Sequence, residues 1–177
     1  MHSTIYPDET ESDIIEFLID SARSGEAQDV LDIEQVLDDN VSFINCTNDQ
    51  GHSMLHYAAA NGHITVLKLL LSEKYKAQLD LNTKNNEGNT PLHWAATNNH
   101  LNVITLLIEA GCDCNIQNAT GNTPLAEIQD RGFDELELLL LEQDKGLEEF
   151  MKQCEENAAQ GDDGECSDES ELSDDSS

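Results

Sequence analysis

A segment of 23 residues that occurs three times constrains this chain more than any other feature. The copies read DQGHSMLHYAAANGHITVLKLLL at residues 49–71, NEGNTPLHWAATNNHLNVITLLI at 86–108 and ATGNTPLAEIQDRGFDELELLLL at 119–141. The glycines at the third position, Gly51, Gly88 and Gly121, are separated by 37 and then 33 residues. A period in this range predicts a stack of units, none of which can bury its apolar face alone.

Each copy carries the signals of a turn followed by two short helices. The shared glycine suits a turn that needs a positive φ. Thr90 and Thr123 each precede a proline, a pair that is typical of a helix start. Threonine caps the first turn, and proline suits that turn because a backbone N–H there would have no partner in the helix. Apolar residues at helical spacing predict second helices from Ile64 to Leu71 and from Leu101 to Ile108.

Degenerate copies lie at both ends of the repeated region. Upstream, Leu18, Ala22 and Gly25 stand 37 residues before their counterparts in the first full copy. Downstream, Ala126 replaces the histidine that the two preceding copies share. The upstream copy lacks the TPLH block and is heavily charged, as expected of a terminal unit with a polar outer face, and the decay of the downstream copy also favours a capping role.

The repeat domain is expected to cover residues 13–153 in about four helix-turn-helix units. Their approximate bounds are 13–45, 49–82, 86–115 and 119–150. Residues 72–82 are longer than their later counterpart, which predicts a longer finger or helix there. Residues 1–12 are expected to form a flexible acidic N-terminus. Residues 154–177 are expected to form a disordered acidic tail, because they are Ser-rich and almost without apolar side chains.

The charge of the chain restricts its partners. Eight Lys and Arg face 37 Asp and Glu, which gives a formal net charge of −29. Residues 8–40 hold twelve acids against one base, Arg23, and residues 155–177 hold ten acids and no base. Such a chain repels nucleic acid and anionic lipid and attracts basic surfaces. No direct nucleic-acid or membrane partner is therefore expected.

The cellular compartment is suggested by the N-terminus and the cysteines. The start, MHSTIYPDET, has neither the basic run nor the apolar stretch of a secretory signal. No apolar run approaches the length of a membrane span. The chain has five cysteines, which is an odd number, and they do not have the spacing of a disulfide framework. This favours free thiols in a reducing intracellular compartment.

Histidines and cysteines do not form a convincing metal or catalytic site. His52 and His56 are four residues apart, but they straddle a turn and a helix start rather than sharing a helical face. Cys112 and Cys114 form a pair without a second pair at ligand spacing, so loop thiols without a role are expected. No phosphate-binding glycine loop or nucleophile motif is present. The chain is therefore expected to have no enzymatic activity, no cofactor and no metal.

The full copies resemble the ankyrin-repeat family. The matching blocks are LHYAAANGHITVLKLLL at residues 55–71 and GNTPLHWAATNNHLNVITLL at 88–107. The resemblance implies an all-α ankyrin-repeat solenoid in which His56 and His93 tie neighbouring units together. It also implies a protein-binding function and a binding face lined by the turn fingers and the exposed sides of the first helices.

Twelve residues are candidates for contacting a partner on this face. They are Asp20, Asp49, Gln50, His52, Tyr57, Asn61, Glu87, Asn89, Trp94, Asn98, Glu127 and Asp130. Tyr57 and Trp94 stand one repeat apart. They either form an apolar strip for a partner or pack between adjacent helices, and aromatic residues of these types are over-represented where partners dock most strongly.

The layout of the whole chain is more discriminating than any one repeat. An acidic first unit, DIIEFLIDSARSGE at residues 13–26, precedes two well-formed repeats, a decayed repeat and an acidic tail. This order resembles the family of small fungal ankyrin-repeat chaperones dedicated to a basic small-subunit ribosomal protein, the third by conventional number. The resemblance implies a role in ribosome biogenesis, in the cytoplasm and nucleus. A monomer is expected. A generic ankyrin adaptor in signalling or protein turnover is the alternative.

Overall fold

The computed structural model describes residues 10–130, within which the chain forms seven α-helices and one short 3₁₀ helix. The α-helices are α1 (Glu11–Ser24), α2 (Ala27–Asp39), α3 (Met54–Asn61), α4 (Ile64–Leu70), α5 (Pro91–Thr97), α6 (Leu101–Ala110) and α7 (Pro124–Asp130), and the 3₁₀ helix is Val41–Asn45. No strand occurs within these residues.

The helices form two layers. Helices α1, α3, α5 and α7 pack against one another in chain order as an inner layer. Helices α2, α4 and α6 form the outer layer, and each packs against the inner helix that precedes it. This arrangement confirms the all-α repeat solenoid expected from the sequence.

Equivalent positions in successive units supply the core between the layers. A leucine that is at most 3 % exposed recurs in each inner helix, as Leu18, Leu55, Leu92 and Leu125. Fully buried alanines recur one turn later, as Ala22, Ala59 and Ala96. Burying one leucine contributes about 1.5–3 kcal/mol, and the small alanines let the inner helices approach closely. The repeat spacing in the sequence therefore corresponds to a column of packed side chains.

Turn residues adopt the backbone conformations expected of them. The three turn glycines have φ values of 74° at Gly51, 76° at Gly88 and 85° at Gly121. Asn99, with φ of 59°, is the one non-glycine residue with positive φ between residues 10 and 130. It lies between the two helices of its unit, where the preceding unit has Gly62, and Asn tolerates this left-handed region better than most residues.

Helix α1 begins at Glu11, two residues earlier than the flexible segment that was expected over residues 1–12 would allow. The cause is a capping box at Thr10, whose hydroxyl oxygen accepts the backbone N–H of Asp13 at 3.3 Å. In return, the carboxylate of Asp13 accepts the backbone N–H of Thr10 at 2.9 Å. The predicted acidic tail and the second half of the fourth unit lie outside the described residues.

The segment expected to form a longer finger or helix, residues 72–82, forms mainly turns and no helix. Tyr75 is the reason, because its side chain is buried beside α2 with 2 % exposure. Its hydroxyl donates to the carboxylate of Asp38 at 2.5 Å. Lys74 forms ion pairs with Asp38 and, at 3.5 Å, with Glu34. The extra residues therefore fold back onto the last turns of α2.

Candidate protein-binding surface

Three asparagines organise the fingers, which are the turns that precede α3, α5 and α7. In each finger the asparagine Oδ1 accepts the backbone N–H groups two and four residues later, at 2.8–3.0 Å. These residues are Asn48, Asn85 and Asn118, each three positions before the turn glycine. Asn side chains stabilise turns in this way, and the N-x-x-G spacing is the sequence signal that identifies them.

Backbone hydrogen bonds join each finger to the next. The N–H of Asn86 donates to the carbonyl oxygen of Gln50 at 3.0 Å. The N–H of Ala119 donates to the carbonyl oxygen of Glu87 at 2.9 Å. The exposed finger side chains are therefore held on a connected frame.

His56 and His93 join the helix starts to the fingers. Nε2 of His56 donates to the carbonyl oxygen of Asn89 at 2.9 Å. Because a carbonyl oxygen only accepts, Nδ1 is the acceptor, and it receives the backbone N–H of Ser53 at 3.2 Å. His93 repeats the arrangement, with Nε2 3.0 Å from the carbonyl oxygen of Asn122. Both histidines tie neighbouring units together, as expected.

Burial keeps these two rings neutral. Loss of hydration lowers the pKa of His56 to about 4, against the opposing effect of its hydrogen bond to Asn89. Burial lowers the pKa of His93 as well. A neutral imidazole has one donor and one acceptor, which are the two roles that each joint uses.

His63 and His100 form a second set of ties between units. Nε2 of His63 donates to the carbonyl oxygen of Arg23, and Nε2 of His100 donates to that of Ala60, both at 2.8 Å. Within residues 10–130, no three or more His, Cys, Asp or Glu side chains are grouped to hold a metal ion.

An aromatic cluster of His52, Tyr57 and Trp94 lies where the first finger meets α3 and α5. The ring centroid of Trp94 is 5.6 Å from that of Tyr57 and 4.5 Å from that of His52, at interplanar angles of 85° and 61°. All three residues are partly exposed, and the buried ring of His56 lies behind them, 5.4 Å from Trp94. The rings of Tyr57 and Trp94 therefore pack across adjacent helices and remain partly exposed.

Trp94 leaves one buried polar atom without an acceptor. In the first finger, Nδ2 of Asn48 lies 3.3 Å from the hydroxyl of Tyr57, and in the third finger, Nδ2 of Asn118 lies 3.4 Å from Oε1 of Glu127. Each acceptor residue stands nine positions after its asparagine. The residue nine positions after the asparagine of the middle finger is Trp94, whose indole N–H only donates. Nδ2 of Asn85, a residue 5 % exposed, finds no acceptor among the described residues. Leaving such a group unpaired costs about 1–3 kcal/mol.

A groove of about 700 Å³ lies between α1 and the first finger, and we call it the α1 groove. Its acidic side chains are Glu11, Glu16, Asp20 and Asp49. Its one basic side chain, Arg23, forms an ion pair with Asp20. Its apolar side chains are Ile15, Ile19 and Tyr57, and its other lining residues are Ser12, Thr47, Asn48 and Gln50. The groove therefore combines apolar surface with an excess of negative charge.

The predicted contact residues separate into groups in the structure. Those that line the α1 groove are Asp20, Asp49, Gln50 and Tyr57. His52 and Trp94 belong to the aromatic cluster, and Glu87 is exposed on the middle finger. Four more residues line neither the α1 groove nor the aromatic cluster and use side-chain polar atoms in hydrogen bonds within the protein, and they are Asn61, Asn89, Asn98 and Glu127. Asp130 ends α7, and its side chain is not among those described.

The α1 residues that complete the groove were missed by reasoning from repeat offsets alone. The repeat offset predicts Asp20, which stands 37 residues before Tyr57. Glu16 and Ser12 lie four and eight residues before Asp20, on the same helical face, and both line the groove. Helical periodicity within α1 was therefore the signal available for them.

The cysteines of the described region, Cys46, Cys112 and Cys114, form no disulfide, and two of them have little nucleophilic character. Burial raises the pKa of Cys46 to about 12. A hydrogen bond with Cys114, and then burial, raises the pKa of Cys112. The thiolate is the reactive form, so Cys46 and Cys112 offer packing rather than chemistry.

A family model described as Ankyrin repeats (3 copies) matches residues 8–118, which is more than half of the chain. No curated protein matches the sequence. Among the helices of the described region, none combines the length and apolar character needed to cross a membrane.

Proposed function

We propose, because the chain belongs to the ankyrin-repeat family of protein-binding modules, that it is a dedicated chaperone of a basic small-subunit ribosomal protein. It binds a cationic segment of the newly made protein, keeps it soluble and escorts it from cytoplasm to nucleus during ribosome biogenesis. The observation that supports this proposal best is the α1 groove, with four acidic side chains and one internally paired base.

The groove has the chemistry that a basic segment requires. Lys and Arg side chains place a long apolar stem below a charged head. Ile15 and Tyr57 offer apolar surface for the stems, and Glu16 and Asp49 are exposed carboxylates for the heads. A volume of about 700 Å³ is within the range of sites that hold a ligand of several side-chain groups.

The charge of the protein favours rapid capture of such a client. A net charge of −29 attracts a cationic chain from a distance. Charge complementarity of this kind raises the association rate and sets orientation more than it sets final affinity. Ribosomal RNA competes for the same cationic side chains, so release accompanies assembly.

The test is binding of the purified full-length chain to the purified ribosomal protein at low and high salt. We expect affinity to fall as salt rises, because exposed charges are screened beyond about 8 Å at physiological ionic strength. The pair of substitutions Glu16→Gln and Asp49→Asn should weaken binding and flatten this salt dependence. The matched control is the pair Glu73→Gln and Glu109→Gln, which changes the charge equally at exposed positions away from the groove.

The proposal fails if the chain does not bind the ribosomal protein, or if affinity is the same at both salt concentrations. Capture of a neutral or acidic partner in place of the basic one would favour the adaptor role.

A further inference from the structure

The aromatic cluster adjoins the α1 groove, and we propose that Tyr57 and Trp94 bind an arginine side chain of the client. The proposed function supplies the source of this arginine, whereas the side-chain geometry supplies the site. Tyr57 connects the two features because its ring belongs to the cluster and also lines the groove.

The arrangement of the rings suits a planar cation. Tyr57 and Trp94 are nearly perpendicular, at 85°, with centroids 5.6 Å apart, and both are partly exposed. A guanidinium group stacks on aromatic faces, and tryptophan is the strongest aromatic partner for a cation. The third ring, His52, lies 4.5 Å from Trp94. Burial lowers the pKa of His52, which favours a neutral ring that does not repel a cation.

Two carboxylates of the neighbouring fingers complete the site. Asp49 and Glu87 are both exposed, and Glu87 is close enough to His52 to oppose the lowering of its pKa. Oε2 of Glu87 accepts a hydrogen bond from Nδ2 of Asn89 at 3.1 Å, which holds this carboxylate in place. Arginine presents a fork of donors that pairs with carboxylates while its plane stacks on a ring.

The unpartnered amide of Asn85 is an independent reason to assign Trp94 to binding. The equivalent positions in the first and third units, Tyr57 and Glu127, each supply an acceptor to a finger asparagine. Trp94 supplies none and leaves a buried donor unsatisfied. Trp94 therefore lacks a hydrogen bond that both counterparts make, and its partly exposed ring is available for binding instead.

Trp94 is the only tryptophan of the chain, so its fluorescence reports on the site directly. The probe is a short synthetic peptide of alternating glycine and arginine, titrated into the full-length protein. Matched peptides replace arginine with lysine or with uncharged citrulline. We expect the arginine peptide to change the emission at the lowest concentration, the lysine peptide to need about tenfold more, and the citrulline peptide to have no effect. An unchanged emission with the arginine peptide, or equal responses to arginine and lysine, overturns the proposal.

Binding of the ribosomal protein, measured by calorimetry, provides the second test. Trp94→Leu removes the aromatic face and should weaken binding about tenfold. Trp94→Phe keeps a ring and should lose less, which guards against misinterpreting a folding defect. Leu31→Ala, at an exposed apolar residue of the outer helix α2, is the control and should bind as the unmodified chain does.

The two proposals fail in different ways. If the chain binds the ribosomal protein and Trp94→Leu binds it equally well, the arginine site is wrong and the chaperone function stands. If the chain ignores the ribosomal protein but Trp94 still distinguishes arginine from lysine peptides, the chaperone function is wrong and the arginine site stands.

Discussion

Nε2 of His56 lies 2.9 Å from the carbonyl oxygen of Asn89, which is 33 residues further along the chain. One imidazole ring thereby connects the start of α3 to the finger that precedes α5. The ring is fully buried, so neither hydrogen bond can be exchanged for water. This tie requires a neutral imidazole, and it adds to the backbone hydrogen bond from Asn86 to Gln50 and to the hydrogen bond from His100 to Ala60.

Replacing His56 with alanine should lower the free energy of unfolding by about 2–4 kcal/mol, because it removes a buried ring, leaves the N–H of Ser53 unpaired and removes one of the two donors to the carbonyl of Asn89. Urea denaturation followed by circular dichroism measures the change. His52→Ala is the control and should cost about 1 kcal/mol or less, because this partly exposed ring makes no bond between units. Equal losses for the two substitutions would contradict this account.

Acidification should destabilise the protein through the same ring. The folded-state pKa of His56 is about 4, below its ordinary value of about 6.5, so the unfolded chain binds the proton more tightly. The contribution of His56 to stability is complete above pH about 6.5 and declines as pH falls toward 4, by about 3 kcal/mol in total. Proton NMR of the ring in the folded protein should show no titration above pH about 5. A ring that titrates near pH 6.5 would contradict the prediction.

The unpaired amide of Asn85 predicts that Trp94→Tyr is more stable than Trp94→Phe by about 1 kcal/mol, because only the tyrosine hydroxyl can accept its N–H. Both rings are smaller than indole, so comparing them isolates the hydroxyl. Thermal or urea unfolding of the two variants measures the difference. Tyr57→Phe, which removes the acceptor that Asn48 uses, should show the opposite effect at the first finger.

Substitution of glycine by alanine should be tolerated at Gly111 better than at Gly25. Both have positive φ, of 96° and 69°, which costs alanine about 1–2 kcal/mol. At Gly25 an added Cβ would also lie 2.3 Å from the ring of His63, whereas at Gly111 nothing lies within 4 Å. Gly25→Ala should therefore lose more stability in urea denaturation. Equal losses would mean that His63 moves aside at no cost.

Tyr75→Phe should lower the free energy of unfolding by about 1–2 kcal/mol, because it removes a hydrogen bond to a charged carboxylate from a buried side chain. Hydrogen exchange should show faster opening of the turns that follow α4, since Tyr75 anchors them to α2. The exchange of amides in α5 and α6 serves as the internal control. Uniformly faster exchange across all helices would argue against a local anchor.

Much of the candidate protein-binding surface was predictable because its residues recur at the repeat spacing. The offset of 37 residues placed Tyr57 and Trp94 at equivalent positions, and the structure brings their rings together. The offset could not show that Asn61, Asn89, Asn98 and Glu127 use polar atoms in internal hydrogen bonds, because exposed polar residues look alike in a sequence. The turn segment around Tyr75 was unpredictable for a related reason: its partner, Asp38, lies 37 residues away in another unit.

The sequence by itself determined the repeat architecture, the positions of the turn glycines and the strongly acidic character of the chain. These properties follow from local signals: a capping residue, a φ value or a periodicity acts over a few residues and recurs in each unit. Only the tertiary structure decided that α1 and the first finger enclose an acidic groove, that three rings meet beside it and that Asn85 lacks an acceptor. Each of these depends on the distance between side chains from different units, and that distance is set by how the units stack.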